Sequence, residues 1–511
     1  MTTVAFCLLS LVGYVVARTA VPSSRLTAAT MSALIGLLIW GLVLYAALIA
    51  GVRAPFQKAA WLVGFGGLVA LSIGLRQQPL SRDDLLFVAL PCAVIAIVFN
   101  VNSLGTNVGD AGYMIMMGVD IGRFETFPED VKHYFLYSFP LLLPLYQATV
   151  SYLQGPDQFV NVAPVLAILL MIFLAVLFRN ARLKWSISLL LVVMLFSSHA
   201  MIIHSFYFNH HLIVGFMILA FAYLVEAYRQ NKKTDPLPTL IVLIMGFSLV
   251  RVEGALLAII LMVVFLRGDV FSRSQRFLLA VCNAVAASAR FGYLLTFQPL
   301  TWTDILHLNV LWPTAAKLIV LLVWIHVFYV AAVGRNRIID KLDGMGSWLV
   351  RLFAVIAVLS ALVLTPSGFL TSVLAIGANL FGLTGLWGLT WWLLVPALVA
   401  LLLWSQPLSS EPNTELANIN GAAHRRRAEG LLLDDPRFGF IVAFLALMLF
   451  FVAMRSPYRI GFGDTFSRGM LHVLPLWVWL VVDRWQLAHF DWAGFWGSLG
   501  RLRAFTTGTS R

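Results

Sequence analysis

The sequence predicts an all-α protein that crosses a membrane many times. Hydrophobic residues make up 60% of the 511-residue chain and charged residues only 11%, whereas a soluble protein carries about 25% charged residues. The mean hydropathy is +0.89, and apolar runs long enough for membrane helices recur along the whole chain. Together these observations exclude a soluble enzyme, a secreted domain and a disordered protein.

The apolar runs predict about 15 transmembrane helices, because roughly 20 apolar residues are needed to cross a bilayer as a helix. The predicted spans are residues 3–17, 30–51, 58–75, 84–100, 160–178, 185–198, 211–228, 237–250, 254–267, 277–297, 315–333, 349–366, 385–404, 438–454 and 470–483. The apolar segment 139–153 contains two prolines. We interpret it as a juxtamembrane helix that lies on the outer membrane face.

Basic residues predict the orientation, because Lys and Arg are enriched in cytoplasmic loops. The most basic segments, which are predicted to be cytoplasmic, are 179–184, 229–233, 335–341 and 424–427. Alternation along the chain then places the loop 101–138 outside and the C-terminus inside. The net charge of +12 is therefore interpreted as contact with anionic lipid rather than with nucleic acid.

The external loop 101–138 contains the acidic residues most suited to catalysis. Asp110 follows a predicted span directly, and an apolar run comes after it. A carboxylate held near the headgroups and against an apolar helix is suited to act as a general base. Glu129 and Asp130 lie later in the same loop, and Asp304 in the external loop 298–314 is a candidate second acid.

Three arginines are candidate phosphate ligands, because a guanidinium group can bind two phosphate oxygens at once. Arg251 lies between two predicted spans, Arg459 and Arg468 precede the last span, and His472 lies at the start of that span. Charges at a membrane boundary cost desolvation energy, which favours a functional role. The alternative is that these arginines extend to the interface and that Arg468 pairs with Asp464.

A group of histidines, His199, His204, His210 and His211, suggests a metal site, but their spacing matches no tight ligand motif. We interpret them as contacts to lipid headgroups, which are common for aromatic side chains at the interface. These residues do not identify a cofactor. A divalent cation held by Asp110 with an acid of the same loop is left open.

Several of these segments resemble the integral-membrane glycosyltransferases of the GT-C superfamily, which include protein O-mannosyltransferases and lipid A aminoarabinose transferases. A span is followed by an Asp-x-x-Tyr loop, Asp110 to Tyr113, and then by a Pro-Leu-rich segment. An aromatic loop at 205–211 precedes a later span, and the turn 251–254 resembles the (Arg/Lys)-x-Glu-Gly turn of many members. The resemblance covers residues 84–314.

The resemblance implies a GT-C-like fold and an inverting transfer of a sugar from a polyprenyl-phosphate donor at the outer face. The acceptor would be a glycan, a lipid or a protein. Asp110 would be the catalytic base, and the substrate-binding residues would be Tyr113, Glu129, Asp130, Arg251, Asp304, Arg459, Arg468 and His472. The expected location is a bacterial cytoplasmic membrane.

The implied domain organisation has four parts. Extra helices at 1–83 precede a catalytic module at 84–314. Further helices at 315–486 include a cytoplasmic linker at 405–437, and a basic tail at 487–511 ends the chain. The sequence leaves two other functions open. One is a transporter or flippase, and the other is a polysaccharide polymerase that handles lipid-linked glycans.

Overall fold

The computed structural model of the protein describes most of the predicted helices. The described residues are 1–21, 24–77, 82–101, 110–127, 141–232, 234–251, 253–266, 270–297, 311–333, 346–382, 386–406, 435–454, 465–487 and 489–490.

Helices dominate these ranges. In chain order they are α1 (Thr2–Ala20), α2 (Arg25–Ile49), α3 (Pro55–Gln77), α4 (Arg82–Val101), α5 (Asp110–Phe124), α6 (Leu142–Gln154), α7 (Ala163–Asn180), α8 (Trp185–Phe196), α9 (His199–Phe206), α10 (His211–Gln230), α11 (Leu237–Val250), α12 (Gly254–Phe265), α13 (Arg273–Phe297), α14 (Leu311–Ala332), α15 (Gly346–Leu364), α16 (Pro366–Phe381), α17 (Thr390–Trp404), α18 (Pro436–Met454) and α19 (Thr465–Leu487). A two-residue antiparallel bridge joins Ser405–Gln406 to His489–Phe490.

The all-helical, membrane-embedded class is confirmed, and every predicted span overlaps a helix. By length and composition, however, only five described helices are long and apolar enough to cross a membrane. The number rises to seven if each of two bent helix pairs forms one span. Several other apolar helices have only 12 to 15 residues, and at 1.5 Å per residue they are shorter than the ~30 Å hydrocarbon core.

Helix α6 confirms the predicted helix at 139–153, and its place beside the outer membrane face stays a prediction. The structure contradicts only the contact with lipid that a helix lying on the surface would make. Its residues from Leu142 to Ser151 are all buried, so protein rather than lipid surrounds every face. It packs chiefly against α5, where glycines allow a close approach. A β-carbon added at Gly118 would lie 2.6 Å from the Pro144 carbonyl oxygen.

The first two helices cross closely at small residues, as is typical of helix pairs in membranes. A β-carbon at Gly13 of α1 would overlap the carbonyl of Ser32 on α2, and one at Gly36 would overlap the carbonyl of Leu9. A hydrogen bond of 2.8 Å between the hydroxyl groups of Ser10 and Ser32 adds a polar contact. This pair also contacts α4 and α11, so it belongs to the main helical core.

One end of the bundle is rich in ion pairs, and we refer to it as the charged end. Asp84 is fully buried there, 3.1 Å from Arg18 and 3.3 Å from Arg25. The Tyr14 hydroxyl donates to its carboxylate at 2.8 Å. These contacts join α1, α2 and α4, and they satisfy a carboxylate that would otherwise be costly to bury.

A second ion-pair group at the charged end joins α18 to α19. Asp435 is 2.7 Å from Arg437 and 3.0 Å from Arg484, and Arg437 is 2.8 Å from Asp483. Burial alone would raise the pKa of Asp435, but the neighbouring arginines outweigh it and hold this pKa well below its ordinary value. The carboxylate therefore stays ionised.

Loops that the sequence predicts on one membrane side meet at the charged end. Lys232, in the predicted cytoplasmic segment 229–233, donates to the Val270 carbonyl at 2.6 Å. The Asp235 amide donates to the Thr19 carbonyl at the end of α1. The opposite helix ends gather at the other end of the bundle, where α10, α12 and α19 begin and α11 ends.

Candidate functional site

Four histidines and an arginine come together at the end of the bundle opposite the charged end. They are Arg251, His204, His210, His211 and His472, and we refer to them as the Arg251–histidine cluster. All four imidazoles are buried, with between 4% and 9% exposure for the first three and 1% for His472. The histidines come from α9, the start of α10 and α19, while Arg251 follows α11.

Arg251 is at the centre of this cluster. Its Nη1 atom is 3.0 Å from His210 Nε2 and 3.4 Å from His211 Nδ1. Its Nη2 atom donates to the Glu253 carboxylate. A guanidinium group has five N–H donors, and these contacts occupy three of them. The structure records no partner for the other two among the described residues, and the side chain is 19% exposed.

His472 connects the cluster to α19. Its Nε2 atom is 3.0 Å from His211 Nδ1, and the two rings stack with centroids 5.2 Å apart. This contact requires α10 and α19 to approach closely, and Gly215 allows that approach. A β-carbon at Gly215 would be 2.5 Å from the Leu471 carbonyl oxygen. The imidazole pair therefore depends on a glycine one helical turn away.

Arg290 on α13 holds the C-terminal end of α11, which Arg251 directly follows. Its side chain is fully buried and its Nη1 atom donates to the carbonyl groups of Ser248 and Arg251, the latter at 2.8 Å. The last carbonyl groups of a helix have no partner within the helix and carry partial negative charge. A guanidinium group donates hydrogen bonds to such carbonyl groups and carries the opposite charge. Arg290 therefore caps α11 and orients the turn that bears Arg251.

The loop between α9 and α10 positions the histidines from the other side. Phe208 is fully buried and its ring centroid is 6.2 Å from that of Tyr146 on α6. Asn161 donates to the Phe206 carbonyl at 2.6 Å. Asn209 accepts from the His211 amide at 3.3 Å, which closes the turn that leads into α10. The loop is thus anchored by packing and by side-chain hydrogen bonds.

The electrostatic environment of the cluster favours neutral imidazoles. Burial, and next the charge of Arg251, lower the pKa of His210 well below its ordinary value. The positive charge of Arg468 also acts on His204 and on His210. Neutral histidines beside guanidinium groups supply hydrogen bonds without adding charge, and such a site is suited to bind an anion.

Three of the predicted substrate-binding residues meet in this region. Arg251 and His472 are both in the cluster, and Arg468 lies one helical turn before His472 on α19. Tyr113 lies on α5 with 48% of its surface exposed. Asp110 begins α5, but its side chain is outside what the structure describes. Glu129, Asp130, Asp304 and Arg459 are also outside the described residues.

The interpretation of the histidines as headgroup contacts is wrong for three of them. His204, His210 and His211 are buried, and only His199 is exposed. Among the described residues, no group of three or more His, Cys, Asp or Glu side chains is arranged to hold a metal ion. Arg290 was visible in the sequence as a charge inside a predicted span, which is the signal that marks functional or structural polar residues in membranes.

No family model, no curated protein and no solved structure matches this chain. The fold and the composition therefore define its class by themselves. It is an all-helical protein embedded in a lipid bilayer.

Proposed function

We propose that this protein is a GT-C-type membrane glycosyltransferase that moves a sugar from a polyprenyl-phosphate donor to an acceptor. The observation that carries the proposal is the meeting of Arg251, Arg468 and His472. The sequence predicts Arg251 and Arg468 as phosphate ligands and His472 as a substrate-binding residue, from segments more than 200 positions apart, and the three come to one end of the bundle.

The Arg251–histidine cluster has the chemistry that a lipid phosphate requires. Arg251 has two N–H donors without a described partner, and His210 has a buried Nδ1 atom without one. Arg468 adds a second positive charge near His210. In a site largely shielded from water, such donors would stabilise the charge that grows on a phosphate as it leaves.

The rest of the proposed reaction is what the resemblance to GT-C glycosyltransferases implies. Asp110 takes the proton of the acceptor hydroxyl as that oxygen attacks the anomeric carbon, and the lipid phosphate leaves with the electron pair. A single displacement inverts the anomeric centre. We place the module at residues 84–314, within a chain of about 15 spans. The cluster faces outward from a bacterial cytoplasmic membrane, and the acceptor is a glycan, a lipid or a protein.

A transporter or flippase for lipid-linked glycans is the second candidate, and the broken helices favour it. Helices α8 and α9 meet at 82°, and residues 348–364 meet α16 at 117°. Discontinuous helices with polar groups at the break often form transport sites. The two candidates differ in one respect, because a transferase forms a new glycosidic bond and a transporter does not.

The test is transfer of sugar from a polyprenyl-phosphate donor by the purified full-length protein. It is made in detergent, where no membrane separates two compartments. The acceptor is identified first by comparing glycans and glycolipids of cells with and without the protein. We expect wild-type protein to transfer sugar, and Asp110→Asn and Arg251→Gln to lower the rate by at least 100-fold, within the range of general-base and oxyanion effects. Arg123→Gln is the control, because Arg123 is exposed on α5.

Two outcomes would contradict the proposal in different ways. Full activity of Asp110→Asn would remove Asp110 as the base and keep the transferase. Absence of transfer in detergent, together with movement of a lipid-linked glycan across proteoliposome membranes, would favour the transporter.

A further inference from the structure

Arg251 determines which ring nitrogens carry the protons in the histidine cluster. A guanidinium group only donates hydrogen bonds. The two atoms that face Arg251 Nη1, His210 Nε2 and His211 Nδ1, must therefore be acceptors without a proton. In a neutral imidazole the proton is then on the other nitrogen. His210 is protonated at Nδ1, and His211 is protonated at Nε2.

The same argument extends to His472. His211 Nδ1 has a single lone pair, and the positive charge of Arg251 at 3.4 Å disfavours a proton on this atom. The same lone pair faces His472 Nε2 at 3.0 Å, so the two donors share it. His472 Nε2 must therefore donate, so the neutral ring of His472 has its lone pair on Nδ1. Arg251 thus determines the tautomers of three imidazoles, those of His210, His211 and His472.

This order leaves two buried ring nitrogens of opposite character. His210 Nδ1 is a donor and His472 Nδ1 is an acceptor, and neither has a hydrogen-bond partner among the described residues. Buried polar atoms nearly always have a partner, because leaving one without a hydrogen bond costs roughly 1–3 kcal/mol. Within the described part of the chain, the rings of His210, His211 and His472 therefore lack one acceptor, for His210 Nδ1, and one donor, for His472 Nδ1.

We propose that the ligand of this cluster is a phosphate ester that carries a sugar hydroxyl, and that His472 is the residue that recognises the hydroxyl. The inference rests on the proposed function and specifies which groups of the ligand the site recognises. His210 Nδ1 donates to a phosphate oxygen beside Arg251. His472 Nδ1 accepts a hydrogen bond from a hydroxyl of the sugar. A bare lipid phosphate fills the first position and leaves the second empty.

The proton positions can be tested without any activity assay. Nitrogen-15 NMR of the full-length protein in lipid nanodiscs, labelled in histidine, distinguishes the two neutral tautomers and the charged ring. Single His→Gln variants assign the resonances. We expect His210 as the Nδ1–H form, and His211 and His472 as Nε2–H forms. A His472 ring protonated at Nδ1 would overturn the proposal.

The recognition of the hydroxyl is tested by binding. The probes are farnesyl phosphate and its mannosyl, glucosyl and galactosyl esters. His472→Gln places its amide near the position of Nε2 and keeps the contact with His211, but it has no polar atom at the position of Nδ1. We expect it to weaken binding of at least one sugar ester roughly three- to tenfold, as for one lost hydrogen bond, and to leave binding of farnesyl phosphate unchanged.

His472→Asn is the matched control, because its amide oxygen lies near the position of Nδ1, and it should keep the preference for the sugar ester. Equal loss of both kinds of ligand in His472→Gln would overturn the role of His472. If the wild-type protein bound none of these probes, the proposed function would fail instead, and the two failures are thereby distinguished.

Discussion

At the scale of single residues, the central feature is a set of buried imidazoles held neutral beside arginines. His210 is surrounded by Arg251, Arg290 and Arg468, and by His211 and His472. Desolvation and these charges all oppose a proton on its ring. The free energy needed to protonate His210 is therefore raised by burial and by several nearby charges together, and not by any one contact.

The lowered pKa of His210 predicts a loss of stability in mild acid. A histidine with a lowered pKa binds fewer protons in the folded chain than in the unfolded chain. Its contribution to stability is complete above its ordinary pKa of roughly 6.5 and decreases as the pH falls below that value. We expect the Tm of the purified protein to fall between pH 7.5 and pH 5.5.

The variant His210→Gln should show a smaller fall in Tm over this pH range, because it removes one of the groups that must be charged on unfolding. His199→Gln is the matched control, since His199 is exposed, and it should keep the wild-type dependence. An unchanged pH dependence in His210→Gln would show that this residue is not held neutral by the fold.

At the scale of helices, close approach at glycines decides which side chains can meet. Gly215 allows α10 to contact the backbone of α19 and thereby brings His211 to His472. Gly118 does the same for α5 and α6. Arg290 acts at a helix end, where it satisfies carbonyl groups that the helix itself leaves without partners.

Replacing Gly215 by alanine should separate α10 from α19. The added β-carbon would lie 2.5 Å from a backbone oxygen, so one helix must shift, at a cost of about 1–3 kcal/mol. We expect a lower Tm. In nitrogen-15 NMR we expect the ring-nitrogen signals of His211 and His472 to shift, because the hydrogen bond between the two rings is lost.

Gly377→Ala on α16 is the control for this prediction, because a β-carbon there has no atom within 4 Å. Alanine also favours helix by up to about 1 kcal/mol over glycine, so the control should be neutral or slightly stabilised. A Gly215→Ala protein as stable as the control would contradict the close approach of α10 and α19.

At the scale of the whole molecule, the bundle has two chemically different ends. The charged end holds the ion pairs of Asp84 and Asp435, and the opposite end holds the Arg251–histidine cluster. Helix α7 runs between loops at these two ends, and its 18 residues extend about 27 Å at 1.5 Å per residue.

This polarity predicts which residues reagents can reach in cells. Asp157 precedes α7 and Asn180 ends it, and both are exposed. In a variant without Cys7, Cys92 and Cys282, we expect Asp157→Cys to react with a membrane-impermeant maleimide in intact cells. Asn180→Cys should react only after the membrane is permeabilised. The reverse pattern would invert the proposed orientation.

The amino-acid sequence by itself determined the class of the protein and the positions of its helices. Long apolar runs must form helices in a bilayer, because no water is present there to satisfy backbone groups. For that reason every predicted span overlaps a helix. The sequence also identified Arg251, Arg468 and His472 as candidate substrate-binding residues. Charges near a membrane boundary cost desolvation energy, which favours a functional role.

Only the tertiary structure decided what surrounds each apolar segment and which distant residues meet. Hydropathy does not distinguish burial in lipid from burial in protein, because both environments are apolar, and so the sequence did not predict that protein encloses α6. His211 and His472 are 261 residues apart, and their pairing depends on how α10 and α19 pack at Gly215. Packing of this kind arises from the fit of whole helix surfaces, which no local pattern in the sequence encodes.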